Sequence, residues 1–193
     1  MIFTVFEDQT HTSLFPLNLN RASFELRCGA FTNLERIQNL LRPDDTIQLA
    51  VRDELGPLIQ ERFPNIIINP DSLAPGVWLN GRGLWTEKGI QEIISGRSFT
   101  KNGITIALSV QKDVPRSEMQ SYIDDASSVS TAIDIQFIEH IWDGIFLQSD
   151  IIARDAQYFL ELNRGKIHPS VAIENGDNIF IGDDSEVCAG SVL

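Results

Sequence analysis

The chain has 193 residues, 42% of them hydrophobic, enough for one sizeable α/β domain with a small appendage and a normal core. A formal net charge of -12 argues against polynucleotide and anionic-membrane partners, because the long-range field repels phosphate backbones, yet local arginines and helix N-termini can still hold one small phosphorylated ligand. Cys28 and Cys188 lie far apart with no CxxC spacing, which argues against a disulfide framework or zinc site; with no basic leader and no run near the ~20 apolar residues of a membrane span, a soluble cytoplasmic protein is expected.

In chain order, Ile2 to Phe6 reads as a first strand, followed by a proline-containing loop. Thr32 and Glu35 form a T-x-x-E capping box ahead of Leu34, Ile37, Leu40 and Leu41 at helical spacing, and Pro43 ends that helix. Thr46 to Val51 reads as a buried strand, Asp53 as the N-cap of a short helix through Arg62, and Asn65 to Ile68 as another strand. This β-α-β-α-β alternation predicts a mainly parallel, Rossmann-like sheet with helices on both faces, receiving ligands at the carboxyl ends of its strands.

Val77 to Leu79 forms a further strand running into NGRGLW, and Thr86 caps a helix that stops at Gly96. Asn102 and Gly103 stand between two β-prone runs, the mark of a hairpin. A helix is expected from Ser117 to Ala126, an alternating strand at Ile133, Ile135 and Phe137, and a helical pattern from Trp142 to Leu162. The tail changes period: Ile167 and Ile173 are followed, after a two-residue insertion near Gly176 and Asp177, by Ile181, Val187 and Leu193. Three of these intervals are six residues, the spacing of hexapeptide repeats in a left-handed parallel β-helix; two ordinary strands with Asx-Gly turns are the plainer alternative. The expected division is an α/β domain over 1–164 and the start of a β-helix over 165–193.

An α/β domain followed by hexapeptide repeats is the layout of bifunctional sugar-1-phosphate nucleotidyltransferase/acyltransferases. The stretch LFPLNLNRASFELRCGAF resembles the nucleotide-gripping run after their first strand, through Pro16, Leu17, Arg21, Leu26, Arg27 and Gly29. With Asn80, Gly81 and Arg82, then Trp142 and Asp143, the chain resembles compact relatives of the bacterial N-acetylglucosamine-1-phosphate uridyltransferases. It departs from the larger family in three ways. EDQTHTSL replaces the glycine-rich signature, Ala22 and Ser23 stand where the usual lysine would fall, and Arg82 stands in place of a magnesium-binding aspartate.

The resemblance implies nucleoside triphosphate and sugar-1-phosphate as ligands, with Asp8, Pro16, Leu17, Arg21, Arg27, Asn80 and Gly81 in nucleotide and phosphate binding. It implies catalytic roles for Arg21, Arg27 and Arg82, and Mg²⁺ on Asp143. The residue chemistry leaves alternatives at each position. Guanidinium forks match phosphate oxygens, but Arg21 and Arg27 could equally pair with Glu25 or Asp8. Asp8 reads as a metal or ribose ligand or as a turn carboxylate, and Asp143 as a metal ligand or a helix N-cap. Arg82 either supplies charge to phosphates or marks a domain that no longer catalyses. His168, in the first coil, reads as a corner residue rather than the general base of a β-helix acyltransferase. Two functions follow: nucleotidyl transfer, or a degenerate nucleotidyltransferase-like scaffold attached to a β-helix acyltransferase. Because the tail holds about one and a half coils, its end is expected to be covered by further chain or by other copies, as in β-helix trimers.

Overall fold

The computed structural model describes residues 1–94, 98–127, 131–132, 135–159 and 164–193. Two compact units, Met1–Leu147 and Gln148–Leu193, divide inside the last long helix, whereas the sequence reading places the boundary at 164/165.

In the first unit, β1 (Ile2–Phe6) leads through a 3-10 turn (Gln9–Leu14) to a small hairpin, β2 (Arg27–Cys28) and β3 (Phe31–Thr32). Helix α1 (Asn33–Leu40) starts at the expected capping box: Glu35 N–H donates to Thr32 Oγ1 at 3.1 Å, and Thr32 N–H donates to Glu35 Oε2 at 2.7 Å. That backbone donor holds the Glu35 carboxyl below its ordinary value, against a smaller opposing effect of burial. Strand β4 (Thr46–Ala50) follows, then α2 (Gly56–Arg62) and β5 (Ile67–Ile68). Asp53 is not the N-cap of α2; it opens a 3-10 turn (Asp53–Leu55), because Pro57 makes the first turn of α2 begin later.

Next come β6 (Ser72–Leu73), β7 (Gly76–Asn80) and α3 (Glu87–Ile94), whose Gly89 N–H donates to Thr86 Oγ1 at 3.1 Å, the expected cap. Strands β8 (Phe99–Lys101) and β9 (Ile104–Val110) are joined at Asn102 and Gly103, with φ of 51° and 79°, a turn that needs left-handed backbone at both positions. Strand β10 (Val114–Pro115), α4 (Met119–Ser127) and β11 (Thr131–Ala132) precede α5 (Asp143–Ala156). The expected strand around Phe137 is reduced to a single bridge to Gly83; Ile133, Gly96 and Leu162, which bounded other expected elements, lie outside the described residues.

Among the described residues, the central sheet has seven strands in the order β11-β8-β9-β7-β1-β4-β5. β7, β1, β4 and β5 are mutually parallel, and of these seven described strands β9 alone reverses direction. Its two faces bury separate clusters, as strand alternation requires. Phe3, Val5, Leu49, Val77 and Leu79 pack with Leu34, Ile37, Ile59 and Ile90 from α1, α2 and α3. Phe6, Ala50, Trp78 and Leu108 pack with Ile123 of α4 on the opposite face. Helices therefore cover both faces, as the alternating pattern predicted.

In the second unit, β12 (Lys166–Ile167) and β13 (Glu186–Val187) pair in parallel, and Ala172 bridges Val192 in parallel. Each residue faces the one twenty positions later. Ile181 is buried in this unit, while Ile173 and Leu193 are exposed.

Candidate active-site cleft

Parallel pairing brings the carboxyl ends of β1, β4 and β7 to one edge of the sheet. The chain moves from β1 to β4 on one side and later to β7 on the other, so the topological switch point lies between β1 and β7. Asp8, Asn80 and Arg82 meet there. Asp8 Oδ1 accepts from Thr10 N–H at 2.8 Å, Thr10 Oγ1 at 2.7 Å and Arg82 Nη2 at 3.0 Å. Asp8 Oδ2 accepts from Asn80 Nδ2 at 2.5 Å and Arg82 Nη2 at 2.7 Å. Arg82 is 1% exposed and Asp8 6%, so this ion pair is sealed from water. The second terminal nitrogen of Arg82, Nη1, donates to Ser13 Oγ at 3.3 Å and Glu139 O at 3.5 Å, and the guanidinium lies 4.7 Å from the Phe137 ring centroid.

A cleft of about 230 Å³ opens beside this cluster, lined by Glu7, Asp8, Gln9 and His11 after β1, Arg52 and Asp53 after β4, Arg116 and Ser117 before α4, and Met119 and Gln120 in its first turn. Arg52 Nη1 donates to both Glu7 oxygens at 2.7 Å; Nη2 reaches the carbonyls of Asn18, Leu19 and Arg21. Ser23 N–H also donates to Glu7, at 3.0 Å. Glu7 and Arg52 thus pin the proline-containing loop to the sheet edge. Arg116 pairs with Asp53, which is largely exposed, so this guanidinium can exchange its partner for a ligand at small cost.

The expected site residues fall into separate places. Asp8, Asn80 and Arg82 converge at the switch point; Gly81 sits beneath them, where a Cβ would come within 2.9 Å of Phe24 Cβ. Asp143 joins through the backbone of Glu139: its Oδ2 accepts from Glu139 N–H at 2.9 Å and His140 N–H at 2.7 Å, tying the turn before α5 rather than capping the helix itself. Pro16 and Leu17 are exposed on the loop. Arg21 is exposed, and its carbonyl adjoins the cleft through Arg52. Arg27 lies on the β2–β3 hairpin, donating to Ala30 O and lying 3.4 Å from Glu35. Glu25 pairs with Arg62, not with Arg21 or Arg27. Sequence reasoning missed Arg52 and Arg116 as cleft residues. Arg52 was open to discovery, since it directly follows a parallel strand at the end where ligands bind.

These side chains do not fit a magnesium site. Mg²⁺ requires free carboxylate lone pairs at short range, and Asp8 already takes five hydrogen bonds, two of them from a guanidinium. One oxygen of Asp143 is committed to two backbone donors. Among the described residues, no three His, Cys, Asp or Glu side chains group as a metal site. Nor is any helix among them long and apolar enough to cross a membrane.

Among curated proteins the sequence has no match. Solved structures with a similar course include a Bacillus anthracis protein assigned as a glucose-1-phosphate thymidylyltransferase, at 9% identity and a TM-score of 0.45, covering 79% of this chain and 96% of that one. Another is the CTP:phosphocholine cytidylyltransferase of Streptococcus pneumoniae, at 12% identity and a TM-score of 0.41, covering 77% of this chain and 98% of that one. The family model described as sugar nucleotidyl transferase matches residues 3–163, most of the chain and all of the sheet edge that carries the cleft; the protein belongs to the sugar nucleotidyl transferase family.

Proposed function

We propose that this chain forms a nucleotide-sugar from a nucleoside triphosphate and a sugar-1-phosphate in the cleft at the carboxyl ends of β1 and β4. A phosphate oxygen of the sugar-1-phosphate attacks the α-phosphorus; the new P–O bond forms as the bond to the β-phosphate bridge breaks, and that electron pair leaves with pyrophosphate. The observation that carries the reading is that Arg52 and Arg116 both line one cleft at the sheet edge where parallel α/β folds receive ligands. Arg116 gives up its exposed partner Asp53 to meet a phosphate, and Arg21, exposed on the loop whose backbone carbonyl meets Arg52, supplies a second guanidinium to the same anion. Asp8, Asn80 and Arg82 form the rigid floor.

A second reading is a binding domain that keeps this fold as the base of a β-helix acyltransferase. Two observations favour it: the sealed Asp8–Arg82 pair, and the constant twenty-residue offset of the parallel pairs in the tail, one three-hexapeptide coil plus the two-residue insertion. In either reading the tail coils as a left-handed β-helix that assembles with other copies, as a trimer. Pyrophosphate release across a panel of nucleoside triphosphates and sugar-1-phosphates, with and without Mg²⁺, separates the two. Turnover with any pair establishes the transferase; binding of nucleotide or sugar phosphate without turnover establishes the scaffold.

A further inference from the structure

We propose that this cleft takes its phosphate ligand without a protein-bound divalent cation, because arginines fixed by the fold already occupy the carboxylates that would hold one. The inference rests on the cleft being the ligand site, and it applies to both functional readings.

Two carboxylates leave the carboxyl end of β1 at the cleft, Glu7 and Asp8, and each is engaged by a guanidinium. Both oxygens of Glu7 lie 2.7 Å from Arg52 Nη1. Both oxygens of Asp8 accept from Arg82 Nη2, and Thr10 and Asn80 donors fill the remaining directions. A carboxylate offers about four lone-pair directions, so Asp8 has none left for a hard cation. Arg82 cannot swing aside to make room. It is buried, held on its other side by Ser13 Oγ and Glu139 O, and stacked on Phe137. A dication brought to Asp8 would also sit against this fixed positive charge, with little water between them to screen it. The third lining carboxylate, Asp53, is exposed and paired with Arg116, and alone it makes no cage for a strongly hydrated ion.

The experiment has two arms. Mn²⁺ alone, titrated into the 193-residue protein and followed by water-proton relaxation, should bind no tighter than millimolar. UTP and ATP, titrated by calorimetry in EDTA and again in Mg²⁺, should show dissociation constants within about three-fold of each other. Arg82→Asp should create a manganese site at least ten-fold tighter than wild type, visible as a rise in melting temperature on adding Mn²⁺. Arg82→Gln, which keeps a neutral donor beside Asp8, gives the same readout if the aspartate variant does not fold. Micromolar Mn²⁺ binding by the wild type that disappears in Asp8→Asn would overturn the proposal, as would nucleotide binding confined to the Mg²⁺ buffer. Failure of every nucleoside triphosphate and sugar-1-phosphate of the panel to bind in either buffer would overturn the cleft assignment itself, and the manganese arm would still decide this inference.

Discussion

Replacing Arg82 by Met tests whether the switch point is a sealed ion pair. Met keeps an unbranched stem able to lie against Phe137, so the change removes mainly charge and donors. With Arg82 1% exposed and Asp8 6%, truncation leaves a buried carboxylate without its counter-charge, a situation that costs about 3–5 kcal/mol. Asp8 retains the Thr10 N–H, the Thr10 hydroxyl and Asn80, three of its five donor contacts, which places the expected loss near the lower end, about 3 kcal/mol. For a protein of this size that corresponds to a melting temperature lower by roughly 6–12 °C. Urea denaturation followed through the buried Trp78 and Trp85 reports the loss directly. The double variant Asp8→Asn/Arg82→Met should be more stable than the sum of the single changes predicts, by at least about 1.5 kcal/mol, since it removes both charges together. A single-variant loss below about 1 kcal/mol, or strict additivity, would refute the buried-pair account.

Arg52→Ala should release the loop it pins at Asn18, Leu19 and Arg21, so trypsin should cut after Arg21 at least ten-fold faster in the folded variant than in wild type. An unchanged digestion pattern would show that the loop holds itself. Arg116→Ala and Arg21→Ala should each weaken UTP binding in calorimetry by about 1.5–3 kcal/mol, the range for charge-assisted hydrogen bonds. Arg116→Ala should cost less than about 1 kcal/mol of stability, because its pair with Asp53 is exposed. Thr32→Ala should lower stability by about 1 kcal/mol through loss of the α1 cap. Because the folded structure depresses the Glu35 carboxyl below 4.5, its contribution is complete above that value and is lost as pH falls through the lower folded value. The melting-temperature gap between wild type and Glu35→Gln should therefore be present at pH 7 and close on acidification below about pH 4.

Much of the scaffold was legible because it depends on short-range rules. The Thr32–Glu35 box, the Thr86 cap and the Asn102–Gly103 turn are each decided within four residues by donors, acceptors and left-handed backbone. The β-α-β alternation likewise announced a parallel sheet covered on both faces. The Phe137 segment misled: its alternation resembles a strand, but it makes one bridge to Gly83 and offers its ring to the Arg82 guanidinium. A two-residue apolar period marks a buried face without saying what the other face meets.

The candidate site divides along the same line. From the sequence alone it follows that ligands belong at the carboxyl ends of β1, β4 and β7, that arginines are available there, and that Asp8, Asn80 and Arg82 belong near that edge. Only the tertiary structure decides which charges remain available to a ligand. Asp8 and Arg82 are 74 residues apart and Glu7 and Arg52 are 45 apart; each pair meets because β1 lies between β4 and β7 in the sheet. Burial then separates the pairs by strength. Arg82 is locked where water cannot compete for it, while Arg116 stays beside a solvated Asp53 and can turn to a phosphate. Residue type is written in the sequence, but the partner and the local dielectric are properties of the folded edge.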